Sequence, residues 1–154
     1  MIYFRHAVLF AASAGALISM STTTAFATEV IELNQTPCQF LEPENTDHKF
    51  KSTKKADCEA ENKRSQESRL ASAKTLTLKS GDYIFRVKNK NVSYPLGFWL
   101  RGDGILNRAR LPSVSGGGLT TGTSRDYKIT LKPGDYVYSC PLNTTPDYKL
   151  VVTK

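Results

Sequence analysis

From Leu76 to the C-terminus, apolar side chains recur at every second position: Leu76 and Leu78; Tyr83, Phe85 and Val87; Phe98 and Leu100; Tyr127, Ile129 and Leu131; Tyr136 and Tyr138; Tyr148, Leu150 and Val152. Period-two alternation in short runs, each bounded by Gly, Pro or Asn, predicts strands with one buried face. Strands at this spacing predict an antiparallel β-sandwich. The pattern L-K-x-G-D-Y occurs twice within them, at Leu78 to Tyr83 and at Leu131 to Tyr136. In each copy an alternating strand meets a Gly able to take positive φ, and an aromatic strand departs. Two equivalent hairpin corners are expected, with Pro133 at the second position of its turn.

The upstream half reads differently. Thr28 to Leu33 alternates and predicts a first strand. Residues 36–73 form a polar insertion rich in Asn, Asp, Lys, Glu and Ser, with Phe40, Leu41, Phe50 and Leu70 as its few apolar anchors. Within it Ala56 to Ala73 holds good helix formers and a Glu59/Lys63 spacing at i,i+4. It lacks an apolar stripe, which predicts a mostly solvated helix.

Residues 1–27 read as a secretory signal peptide. Arg5 gives a basic start, Ala7 to Met20 an apolar run, and Ala25-Phe26-Ala27 a cleavage site. The run is shorter than the roughly 20 residues that a spanning helix needs. The competing reading is an uncleaved anchor. The expected product is one domain over residues 28–154, periplasmic or secreted, with no membrane span after cleavage. A chain of that size buries roughly two thirds of its unfolded surface, so it builds its own core. Of the 154 residues, 21 are Lys or Arg and 14 Asp or Glu, a net charge of +7. Nucleic acid is not an expected partner outside the cytoplasm.

Both methionines and His6 lie in the leader, so the exported chain keeps one imidazole, His48, and no thioether. Its supply of soft or borderline metal ligands is Cys38, Cys58, Cys140 and His48.

Leu131 to Val152, with the run Tyr136-Val137-Tyr138-Ser139-Cys140-Pro141, resembles the C-terminal hairpin of the cupredoxins, the plastocyanin-like and azurin-like blue-copper domains. Gly81 to Asn89 followed by Pro95-Leu96-Gly97-Phe98 resembles that family's other copper strand and its P-H-x-F segment. The resemblance covers roughly Thr75 to Lys154. It implies an all-β, cupredoxin-like Greek-key β-sandwich with a polar, partly helical insertion after the first strand. It places Cys140 as the copper cysteine, but Leu96 stands where the first family histidine falls and Asn143 where the second falls. Pro146 or Tyr148 stands near the axial methionine.

A blue centre needs two imidazoles and a thiolate in one plane. One histidine cannot supply both, so no cofactor is expected, with copper as the alternative. Cys140 is then a buried hydrophobe, a Cu(I) thiolate or half of a disulfide. Of the three possible pairings Cys38 with Cys58 is favoured, because it brackets the polar zone that lacks apolar anchors. Closing that loop is worth about 3 kcal/mol in the chain-entropy model.

The ligand-facing end implies a binding surface made by Pro95, Leu96, Phe98, Trp99, Pro141, Leu142, Asn143 and Tyr148, for a protein partner or a metal-handling system. Phe98 and Trp99 are adjacent and face opposite ways on a strand, so either one ring is left for solvent or the polar insertion covers both. The glycine-rich stretch Ser115 to Gly122 has no G-K-[ST] continuation and reads as a flexible or closely packed crossover. Arg101, Arg108, Arg110, Arg125, Lys88 and Lys90 offer a basic face. His48 lies far in sequence from any Ser or Cys nucleophile, so no catalysis is expected. The expected function is that of an exported, non-enzymatic binding or accessory protein. The rival is a periplasmic Cu(I) carrier or chaperone, related to electron transfer, that uses Cys140.

Overall fold

The computed structural model describes residues 28–154, and the signal-peptide expectation for residues 1–27 lies outside them. The described elements run β1 (Glu29–Thr36), β2 (Gln39–Phe40), α1 (Leu41–Glu44), α2 (Lys55–Ser72), β3 (Leu76–Lys79), β4 (Gly81–Asn89), β5 (Leu96–Gly102), α3 (Gly104–Arg110), β6 (Val114–Leu119), β7 (Ser124–Leu131), β8 (Gly134–Ser139) and β9 (Tyr148–Thr153). They build two sheets, ordered β2-β1-β4-β7 and β3-β9-β8-β5-β6.

The alternating residues point inward, as their period requires. Leu33, Phe85, Val87 and Tyr127 of the first sheet share one buried cluster with Phe98, Leu100, Tyr138 and Leu150 of the second. Phe98 is the hub between the layers, its ring centroid 5.7 Å from Phe85 and 5.0 Å from Tyr127. Such ring pairs add about 1 kcal/mol each beyond the area they bury.

The pairing corrects one expectation. β4–β7, β5–β6, β5–β8 and β8–β9 are antiparallel, but β1 runs parallel to β4 and β3 parallel to β9, so both sheets are mixed. Parallel neighbours need a long crossover. The insertion and β3 separate β1 from β4, and most of the fold separates β3 from β9.

The two L-K-x-G-D-Y copies are equivalent, yet they are not hairpins. Gly81 and Gly134 adopt φ of 155° and 153°. In each copy the tyrosine hydroxyl donates back to the lysine carbonyl at 2.9 Å, Tyr83 to Lys79 and Tyr136 to Lys132. The first copy carries the chain from the five-stranded sheet to the four-stranded one, and the second carries it back. Each is a corner between layers, with the tyrosine pinning the bend.

The insertion folds as α1, a loop and α2. Its helix is anchored by polar groups, as the missing apolar stripe requires: the buried residues of α2 are Cys58, Asn62 and Arg69. The Asp57 carboxylate receives the backbone N–H of Thr53 and Lys54 ahead of the helix. Glu59 pairs with Lys55 at 3.2 Å rather than with Lys63. Arg69 grips the Glu44 carboxylate with two bonds of 2.9 and 2.6 Å and donates to the Cys38 carbonyl at 3.0 Å.

Most of the glycine-rich stretch forms a strand. Val114–Leu119 is the edge strand β6, laid on β5 with a register shift between Leu96 and Phe98. A Cβ on Gly97 would stand 2.7 Å from the Gly116 carbonyl oxygen, so the two backbones approach this closely only because residue 97 is glycine, while a Cβ on Gly116 would press on the Tyr127 ring at 3.0 Å.

Candidate functional site

β5 and β8 lie side by side, and their Gly97 and Cys140 ends open onto the loop Cys140–Pro146. Cys140 is the free cysteine of the described chain and is buried. Its Sγ accepts the backbone N–H groups of Gly97 and Asn143, both at 3.3 Å. Burial pushes the thiol above its ordinary pKa, against the opposing pull of those N–H dipoles. Thr145 closes the loop: its Oγ1 accepts the Cys140 N–H at 2.8 Å, and its N–H donates to the Cys140 carbonyl at 3.2 Å.

Asn143 is the residue that organises this end. Its Oδ1 accepts the Cys38 N–H at 2.9 Å, and its Nδ2 donates to the Thr36 carbonyl at 2.8 Å and toward Gln35 Oε1 at 3.4 Å. Gln35, fully buried, spans to the Gly97 carbonyl at 2.9 Å. One amide therefore joins the loop after Cys140 to the turn between β1 and β2.

Cys38 and Cys58 form the disulfide that the bracketed polar zone predicts. Cys58 Sγ lies 3.5 Å from Asn143 Oδ1 and 3.8 Å from the Tyr94 hydroxyl, which in turn lies 2.7 Å from Ser52 Oγ. Asn62 on α2 donates to the Thr144 carbonyl. The insertion is thus stapled and hydrogen-bonded across the end of the sandwich that carries Cys140.

This geometry splits the expected binding surface. Pro95, Trp99, Pro141 and Leu142 reach solvent, with Leu142 43% exposed. Leu96, Phe98, Asn143 and Tyr148 are buried and cannot be surface. The alternation of β5 and β9 turns Leu96, Phe98 and Tyr148 inward, and Asn143 is consumed by backbone groups. Tyr148 instead donates to Glu44 and receives the Phe40 N–H at 3.3 Å. Burial and the Glu44 charge hold its phenol far above the ordinary value. Trp99, Pro141 and Leu142 line an open groove of about 340 Å³ with Gly97, Ser115, Gly116 and Gly117, and Pro95 lies outside it. The indole of Trp99 lies under the Arg101 guanidinium at 4.0 Å, with Arg108 at 5.6 Å.

The basic face is also reduced. Arg101 is buried, donating to Ser139 Oγ at 3.0 Å and to both Asp147 oxygens at 2.7 Å. Arg125 donates to the Gly117 carbonyl.

Sequence reasoning passed over a cleft of about 410 Å³ between the edges of the two sheets, lined by Ile31, Leu33, Pro43, Leu76, Lys74 and Tyr138 among others. Its signal was present in the order of the strands rather than in any motif.

The donor set does not fit a blue copper ion. The positions beside Cys140 hold a leucine side chain in the core and an amide whose oxygen and nitrogen are both engaged. The one imidazole among the described residues, His48, is bound through Nε2 to Glu44 at 2.7 Å and stacked on Phe50 at 5.1 Å. Among the described residues no three His, Cys, Asp or Glu side chains converge to hold a metal ion.

No protein-family profile matches the chain, and no curated protein matches it. Solved structures do. Dithionite-reduced auracyanin from the photosynthetic bacterium Roseiflexus castenholzii aligns at 12% identity and TM-score 0.50, over 84% of this chain and 100% of that one. Auracyanin B aligns at 16% identity and TM-score 0.49, over 86% of this chain and 94% of that one. A Cu(I) form of an amicyanin variant aligns at 16% identity and TM-score 0.41, over 80% and 81%. At these identities the likeness shows the fold alone, and that fold is the cupredoxin fold.

Proposed function

We propose that residues 28–154 are exported as one domain that works by binding, with no type 1 copper centre. Its Cys140 end docks a protein partner or a component of a metal-handling system through Pro95, Trp99, Pro141 and Leu142. The observation that carries this reading is Asn143. At the position of a second imidazole stands an amide whose hydrogen bonds go to Cys38 and Thr36, so the scaffold spends that position on its own closure. Export is supported by the Ala25-Phe26-Ala27 site and by the Cys38–Cys58 disulfide, which suits an oxidising compartment. Among the described residues no helix is long and apolar enough to cross a membrane. The reading assigns no catalytic residue. Protein purified after export and loaded with Cu(II) is expected to show no intense thiolate-to-copper absorption in the visible. A blue protein with one copper per chain overturns the reading.

One observation favours a second reading, a Cu(I) carrier: Cys140 is the thiol that the disulfide leaves free. Cu(I) titration against a competing chelator, beside Cys140→Ala, separates the two. Tight binding lost in the variant supports the carrier, and no binding in either protein supports docking alone.

A further inference from the structure

We propose that α3 is a docking tip for an anionic lipid surface, so that the end of the sandwich opposite Cys140 rests on a membrane. α3 stands between β5 and β6 with none of its residues buried. Its two large aliphatic side chains face solvent, Ile105 at 87% and Leu106 at 78% exposure, the highest of any large apolar residues described. The stretch Ile105 to Leu111 carries Arg108 and Arg110 and no acid. At helical spacing Arg108 is three residues after Ile105 and Arg110 four after Leu106, so each aliphatic shares its face with a cation. Paired exposed aliphatics beside arginines are what a bilayer boundary of anionic headgroups takes: apolar tips enter the acyl edge while guanidinium groups stay with phosphate. Asp103 precedes the helix, its N–H bonded to the Asp135 carbonyl at 2.9 Å, and so marks the base of the tip.

The second observation is where the chain enters. Gly102 pairs with Tyr136, Gly134 with Val152 and Gly81 with Leu131, so both inter-sheet corners share the α3 end. β1 starts there too, with Glu29 beside Tyr83. The described chain therefore begins at the same end that carries Ile105 and Leu106. The groove beside the buried Cys140 lies at the other end of the strands.

Trp99 is the only tryptophan of the sequence, and Arg108 of α3 lies 5.6 Å from its ring; because Trp99 also lines the groove with Leu142, loss of its response in an α3 variant is what assigns the response to α3. Protein purified after export, whichever amino terminus it keeps, is titrated with phosphatidylcholine vesicles with and without phosphatidylglycerol. Trp99 emission is expected to shift with the anionic vesicles alone. Ile105→Ser with Leu106→Ser, both solvent-facing and neutral to folding, is expected to weaken the response about tenfold. Arg110→Ala is expected to weaken it about fivefold at low salt, and high salt erases that difference. Leu142→Ser, on the groove beside Cys140, is expected to respond as wild type, which separates this test from that of the docking groove. No Trp99 response to anionic vesicles, or an unchanged response in the double Ser variant, overturns the proposal.

Discussion

Asn143→Ala removes one buried side chain and strands two backbone groups. The Cys38 N–H loses its acceptor at 2.9 Å and the Thr36 carbonyl its donor at 2.8 Å, both where water has little access. An orphaned buried donor or acceptor costs about 1–3 kcal/mol. The carbonyl keeps a second lone pair and tolerates the loss better than the N–H, which sets the expected total at about 3 kcal/mol. For a domain of this size that lowers Tm by about 10 °C. Thermal unfolding followed by near-ultraviolet circular dichroism reads the shift. The disulfide stays closed in the variant and keeps the insertion tethered, so the change isolates the amide. Melting within 3 °C of wild type, by the scale just used, would refute the claim that this residue closes the Cys140 end.

Three further outcomes are expected. A dithiobis-nitrobenzoate assay should titrate no thiol in the folded protein and one in denaturant, because Cys140 is buried with a raised pKa and the other two cysteines are paired. Arg69→Met should destabilise by about 3 kcal/mol in urea unfolding, since the buried Glu44 carboxylate loses its two-bond guanidinium partner and keeps only His48 Nε2 and the Tyr148 hydroxyl. Tyr138 and Tyr148 are held protonated by burial, and Glu42 and Glu44 reinforce this. A folded-state pKa raised above the unfolded 10.0 means that stability is intact below that pH and falls as pH rises through it. Absorbance at the phenolate band should therefore show these two rings ionising only together with alkaline unfolding.

The strands were legible because alternation is a local signal and the core is apolar. The same alternation contained a correction to the site: Leu96, Phe98 and Leu100 share a face, as do Tyr148, Leu150 and Val152, so residues placed by family resemblance at a surface had to point inward. The direction of pairing was hidden, since nothing near Glu29 marks it as a parallel neighbour of Tyr83. β6 was hidden because glycine carries no hydropathy period, and its place depends on two backbones meeting at Gly97 and Gly116. α3 gave no stripe because its aliphatic residues face water. The disulfide was legible from what it brackets. The polar ties that Asn143, Gln35 and Arg69 make join positions far apart in the chain, and no spacing rule anticipates them.

β3 has a single neighbour in its sheet, β9, the last of the described strands. Until residue 150 has emerged from the ribosome, Leu76 has nothing to hydrogen-bond with, and the bend at Gly81 that follows has only one of its two arms fixed. A protein clipped before Tyr148 would lose more than β9, because the seam that β9 makes with β3 would come undone. Synthesis of this sandwich therefore completes its architecture only once β9 has been made.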